Sequence, residues 1–253
     1  MRLAIKKAAI FRNLLLLGAG FWFIFLTEQR IALFRILFPN ASAHSYTRIP
    51  LPALLVEHLQ LVLISSACAV GIGLGLGILV TRHAGRPFLP LVRDTASIAQ
   101  TFPPVAVLVL AVPLLGFGTR PALLALILYS LLPVLANTIA GLENVAPDVH
   151  EAAKAMGMKP LQRLFWVELP VAARVILAGI RISVIINIGT ATVGTVVGAG
   201  GLGVPIVAGL VRDNIPFILE GAVTAAWVAF VLDSILGLLA DMAFDPQEAR
   251  SDA

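Results

Sequence analysis

Charge is scarce in this 253-residue sequence: only 13% of its side chains are charged and 7% are aromatic. With 59% of residues apolar and a mean hydropathy of +0.96, there is too little polar surface to cover a soluble interior. Cysteine is nearly absent as well. Cys68 stands alone in the apolar run Ser66 to Gly71, which excludes an intrachain disulfide and a cysteine metal cluster and predicts a small buried side chain. His44, His58, His83 and His150 are scattered with no H-E-x-x-H spacing, so no metal site is expected. There is no G-x-S-x-G, and no catalytic residue is assigned. There is also no G-x-x-x-x-G-K-[ST] to cradle a nucleotide phosphate. Gly198-x-Gly200-x-x-Gly203 matches the dinucleotide string, but it follows an apolar run rather than a strand and is expected to be a tight turn.

What the sequence does have is length of apolar run. Five segments are near the twenty residues that span hydrocarbon, Leu59 to Thr81, Ala96 to Leu115, Ala122 to Gly141, Val175 to Val197 and Phe217 to Leu239, and a somewhat shorter apolar run, Leu14 to Leu26, precedes them. Because lipid offers the backbone no partners and the ten-residue alternation of a barrel is missing, an all-α polytopic membrane protein of about six helices is expected. The first run, behind Arg2, Lys6, Lys7 and Arg12, looks like a secretory leader. However, the small-residue pattern Ala41-Ser42-Ala43 lies too far beyond it for cleavage, and a retained helix is expected.

Basic residues set the orientation. With the N-terminus inside, the inner segments hold twelve of them and the outer ones five: Arg30, Arg35, Arg48, Arg120 and Arg212. Both termini are therefore expected in the cytoplasm. This distribution between spans also accounts for the net charge of +4 without a nucleic-acid partner. The organisation expected is a tail, first span and outer loop over 1–58, a core over 59–240, and a short cytoplasmic tail over 241–253, disordered from Asp245 on.

Proline and glycine mark the irregular places. Pro103-Pro104, Pro113 and Pro133 are expected to bend or break their spans, and Gly71, Gly73, Gly75 and Gly77 offer two small-xxx-small pairs for a close helix contact. The longest inner loop, Glu143 to Arg174, is patterned. Ala146 to Met156 reads as a short helix with Pro147 near its start, and Gly157 ends it. A second short helix from Pro160 to Val167 would place Leu161, Leu164, Phe165 and Val167 on one face, and Leu169-Pro170 would end it.

Those residues carry a specific resemblance. Glu151-Ala152-Ala153, then Gly157, then Val167, Leu169 and Pro170 resemble the EAA loop of ABC importer permeases; Val167 stands where isoleucine is usual. The resemblance implies a type I importer fold of the MetI-like kind, with this loop docking into an ATPase subunit. It also implies a second permease chain, identical or not, two cytoplasmic ATPases that hold the ATP and magnesium, and a bacterial inner-membrane location. Gln100 to Pro104, Pro113 to Gly118, Tyr129 to Pro133, Ala178 to Arg181, Asn187 to Thr192 and Gly198 to Gly203 are similar to permeases for osmoprotectants: glycine betaine, choline, carnitine or proline betaine. Methionine and sulfonate permeases share part of the pattern and are the alternative. An ATP-independent carrier or a membrane enzyme leaves the loop unexplained. The aromatic cage a quaternary ammonium needs is implied to lie in a separate extracytoplasmic binding protein, since this chain ends soon after its sixth span.

Polar residues inside spans are either helix ties or pathway lining. Gln100, Thr101, Asn137, Asn187, Thr190 and Thr192 are the candidates. Arg181 and Asp233 each lie roughly 10 Å deep from the inner side, counting 1.5 Å per residue, and are expected to pair.

Overall fold

Apolar segments that must close their hydrogen bonds internally become helices. The computed structural model describes residues 2–99 and 101–244, with side chains over 13–99 and 101–242, and contains no strand among them. The helices are α1 (Arg2–Phe25), α2 (Thr27–Leu37), α3 (Leu51–Thr81), α4 (Leu89–Ala99), α5 (Pro104–Leu115), α6 (Thr119–Glu143), α7 (Pro147–Ala155), α8 (Pro160–Arg163), α9 (Leu169–Gly194), α10 (Gly203–Arg212) and α11 (Ile215–Phe244). Among the described residues four helices are long and apolar enough to cross a bilayer: α3, α6, α11 and the run Pro160–Val197 that includes α9. The number rises to six if each sharply bent pair is one span: α1 with α2, bent by 92°, and Arg86–Ala99 with Pro104–Leu115, bent by 97°.

The third expected span is therefore not one rod. Pro103 and Pro104 supply no amide donor, so α4 stops at Ala99 and α5 starts with Pro104 at a position that needs none. Pro113 and Pro133 do not break their helices, which continue through them. Cys68, expected to be buried, is left uncovered by the chain. Gln100 and the tail from Asp245 lie outside the described residues.

Contacts divide the chain into two units. One comprises residues up to Val62, Leu108–Leu123 and Ile188–Leu232. In it Gly20 admits the Trp227 ring so closely that a Cβ there would lie 1.9 Å from it, and Trp227 Nε1 donates to Leu16 O at 3.0 Å. After α9 the chain turns through Gly198, Gly200 and Gly201, all at positive φ, where a side chain would be strained. This is the glycine string, and Glu57 Oε2 accepts the Gly201 amide at 3.1 Å.

The other unit comprises Leu63–Val107, Leu124–Asn187 and the chain from Asp233 on. In it a Cβ on Gly73 would meet Val134 at 2.9 Å and one on Gly77 would meet Thr138 at 2.6 Å, so this pair seats α3 on α6. Gly71 and Gly75 have nothing within 4 Å, so only one of the two expected glycine pairs is a contact. Leu142, Leu164, Ala172 and Ile176 form a buried cluster with Leu74 and Ile78 against it, which fixes the base of the hairpin described next.

Candidate functional site

The loop between α6 and α9 is built by local rules. Pro147 opens α7 where no amide donor is required; Asp148 sits in its first turn and Lys154 in its last, each opposite in sign to the helix-end charge. At the far end Met158 N donates to Ala153 O at 3.2 Å and Gly157 N to Lys154 O at 2.9 Å, the two bonds of a Schellman cap. Gly157 has φ +76 and open space around it, so glycine is required by conformation rather than by crowding. The Lys159 amide then donates to Gln162 Oε1 at 2.8 Å and starts α8.

Leu169-Pro170 does not end this second helix, contrary to the sequence expectation. Pro170 has no amide hydrogen for the Trp166 carbonyl, and the backbone takes a wide π turn over Leu164–Glu168, with Leu169 N bonding Leu164 O, before running on into α9. That turn also changes the faces. Leu164 is buried, while Leu161 and Phe165 are exposed, so the expected shared apolar face is not formed. Of the motif residues, Ala153 is buried; Glu151, Ala152, Gly157 and Pro170 are exposed; Val167 and Leu169 are half-buried. Met156, Leu161, Phe165 and Trp166, the last 78% exposed, are large apolar side chains left uncovered on the hairpin.

Glu168 was missed by sequence reasoning. It is 3% exposed, and both of its carboxylate oxygens have a partner: Arg82 Nη1 on Oε2, and the His150 imidazole with Nε2 at 3.3 Å from Oε1. A cavity of about 950 Å³ beside it is lined by Arg82, His83, Arg86, Lys154 and Arg163 among others. A glutamate between Val167 and Leu169, at the end of an amphipathic stretch, was the available signal.

The polar residues inside spans separate into ties and open positions. Asn187 is fully buried, and its Nδ2 donates to Ser65 Oγ and Ser66 Oγ, both at 2.9 Å, so it joins two helices and lines no open surface of this chain. Asn137 is half-buried and donates to Pro133 O at 2.8 Å, the carbonyl one turn back in its own helix. Thr101 is exposed; Thr190 and Thr192 are half-buried. Arg181 and Asp233 form a two-pronged pair, with Nε on Oδ1 and Nη2 on Oδ2 at 2.5 Å. Among the described residues no group of three His, Cys, Asp or Glu side chains is placed to hold a metal.

The family model described as "Binding-protein-dependent transport system inner membrane component" matches residues 73–250. The osmoprotectant import permease protein OsmY of Salmonella typhimurium is 42% identical over 180 residues, which is 71% of this chain and 76% of that one. The carnitine transport permease protein OpuCD of Listeria monocytogenes is 47% identical over 143 residues, 56% of this chain and 64% of that one. The choline transport system permease protein OpuBB of Bacillus subtilis is 44% identical over 142 residues, with 56% and 65% covered. Among solved structures, a chain of the inward-facing MetNI methionine ABC transporter superposes with a TM-score of 0.70 at 23% identity, covering 78% of this chain and all of that one.

Proposed function

Because the chain belongs to the binding-protein-dependent transport system inner membrane components, we propose that it carries osmoprotectants across the inner membrane of a bacterium. It is the permease subunit of an ABC importer and not itself an enzyme; ATP hydrolysis resides in a separate subunit, and an extracytoplasmic binding protein delivers the solute. The solute class proposed is glycine betaine, carnitine, choline or a similar quaternary amine. Permeases named for osmoprotectants, carnitine and choline, at 42–47% identity, support that choice. The likeness to the methionine transporter concerns the fold alone, at 23% identity.

In this reading the hairpin from Glu151 to Pro170 lies in the cytoplasm, as do both termini, and docks on the ATPase that holds ATP and magnesium. Two permease chains and two ATPases complete the importer. One observation carries the docking surface. A glycine-capped knob, anchored by Ala153 and Leu164, turns Met156, Leu161, Phe165 and Trp166 outward, where only a partner would cover them. Thr101, Asn137, Thr190 and Thr192 keep polar surface available for a weak relay of the solute, whereas Asn187 serves the helix contact.

Copurification tests this directly. The tagged chain, expressed in its native cells, is expected to bring down an ATPase and to support uptake of radiolabelled glycine betaine, carnitine or choline. Gly157→Val forces a side chain into left-handed backbone at about 1–2 kcal/mol, and is expected to release the ATPase while the chain stays in the membrane. Retention of the ATPase by Gly157→Val together with Trp166→Asp would place its docking elsewhere.

A further inference from the structure

The outward face of the hairpin accounts for docking, but not for how a displacement of α7 reaches the spans. α7 buries only Ala153, so its grip on the rest of the chain is slight. Its other tie is His150, the residue before Glu151, whose Nε2 meets Glu168 Oε1 at 3.3 Å. The second oxygen of the same carboxylate takes the guanidinium of Arg82, the first residue beyond α3. Arg82 Nη2 in turn donates at 3.3 Å to Thr81 Oγ1, which is bonded to Gly77 O and Ile78 O in the last turns of α3. Glu168 itself ends the wide turn that leads into α9. One buried carboxylate thus joins three segments: the end of α3, the exposed α7 and the start of α9.

We propose that Glu168 is a positioning residue for transport: with Arg82 and His150 it locks α7 to α3 and α9, so that a push on α7 moves both spans together. This rests on the reading of the hairpin as the ATPase dock. The chemistry suits a rigid link. A carboxylate at 3% exposure, held between the Arg82 guanidinium and the His150 imidazole, has no solvent-relaxed alternative, and both of its oxygens are occupied. Arg82 is 34% exposed and can turn to water if released, so loss of the carboxylate unlocks the joint. Leu164 and its apolar cluster remain in place to hold the fold.

The test uses the assembled importer, with ATPase and binding protein, in proteoliposomes, measuring ATP hydrolysis and uptake of whichever of glycine betaine, carnitine and choline the unaltered importer takes up. Glu168→Gln is expected to keep the ATPase bound, leave hydrolysis within about 2-fold and cut uptake about 10-fold, so that ATP spent per solute rises; Arg82→Glu combined with Glu168→Arg is expected to restore at least roughly a third of uptake. His150→Ala, which cuts only the α7 arm, is expected to shift the same ratio in the same direction. Hydrolysis and uptake falling in constant proportion would mark a purely structural role and overturn the proposal. So would unchanged uptake in Glu168→Gln and His150→Ala, or a charge swap that assembles without recovery. An unaltered chain that binds no ATPase would instead remove the docking reading, and the positioning role with it.

Discussion

Among the described residues, two ion pairs tie α11 to earlier helices, and they differ in almost everything but their charges. In the unit that contains α2, Arg30 and Glu220 are 2% and 1% exposed. Arg30 also donates to Phe23 O and Ile24 O, carbonyls left without amide partners where α1 breaks at Leu26, and Glu220 also accepts from Ser45 Oγ and the Tyr46 amide. In the unit that contains most of α9, Arg181 and Asp233 are 44% and 31% exposed and bind chiefly each other. A sealed pair can exist only where nearly every donor and acceptor is used, because an unpaired buried charge costs several kcal/mol; an open pair needs no such network. The broken helix and the buried arginine therefore explain each other: the side chain caps the carbonyls that the bend frees.

The sharpest way to break this contrast is to remove one partner from each pair. Glu220→Ala strands Arg30 and two further donors in a closed site, and is expected to cost about 3–5 kcal/mol, read as lost folded yield and a lower melting temperature in detergent. Arg30→Ala with Glu220→Ala is expected to be less damaging than Glu220→Ala alone, since no charge is stranded. Equal losses for Glu220→Ala and Asp233→Ala would mean that burial does not decide the matter.

The same contrast recurs on one helix without any charge. A Cβ on Gly73 or Gly77 would fall 2.9 or 2.6 Å from α6 side chains, so Gly73→Val or Gly77→Val is expected to cost about 1–3 kcal/mol by overpacking. Gly71 and Gly75 face open space, and Gly71→Ala or Gly75→Ala is expected to be neutral or to stabilise by about 0.4–1 kcal/mol, since alanine loses less backbone freedom in a helix. Thermal melts of the four variants read this directly. A large loss at Gly71 or Gly75 would show that a second chain covers that face.

These contrasts also mark how far the sequence was legible. The apolar runs of α3, α6, α9 and α11, the break at Pro103-Pro104 and the cap at Gly157 follow from local chemistry, and a local pattern suffices to read them. Arg181 and Asp233 could be paired from sequence because both interrupt apolar runs at similar depth. Arg30 could not. It follows the first run closely enough to look like a loop residue, and its partner is 190 positions away. Asn187 stayed open between tie and lining for the same reason: a polar residue in a span signals that it needs a partner, but not whether that partner is a solute or Ser65 and Ser66. Glu168 faces inward because of a wide turn that helical periodicity at 3.6 residues does not anticipate. The short helix α10 was not anticipated: it lies between the fifth and sixth apolar runs, and in it Gly209 sits against Ile218 where a larger residue would not fit.

The smallest effect expected is at the open pair itself, and it measures the contrast most finely. A double-mutant cycle with Arg181→Gln and Asp233→Asn isolates the coupling from whatever each side chain does alone. Since each partner keeps roughly a third or more of its surface uncovered, the coupling is expected at about 0.2–1 kcal/mol and to weaken as salt rises, because an accessible pair is screened and solvated. A coupling above about 2 kcal/mol that ignores salt is the signature of a pair sealed from water. The chain by itself does not seal it, so such a result would place lipid or a second permease chain against Arg181 and Asp233, and the pair would then belong with Arg30 and Glu220.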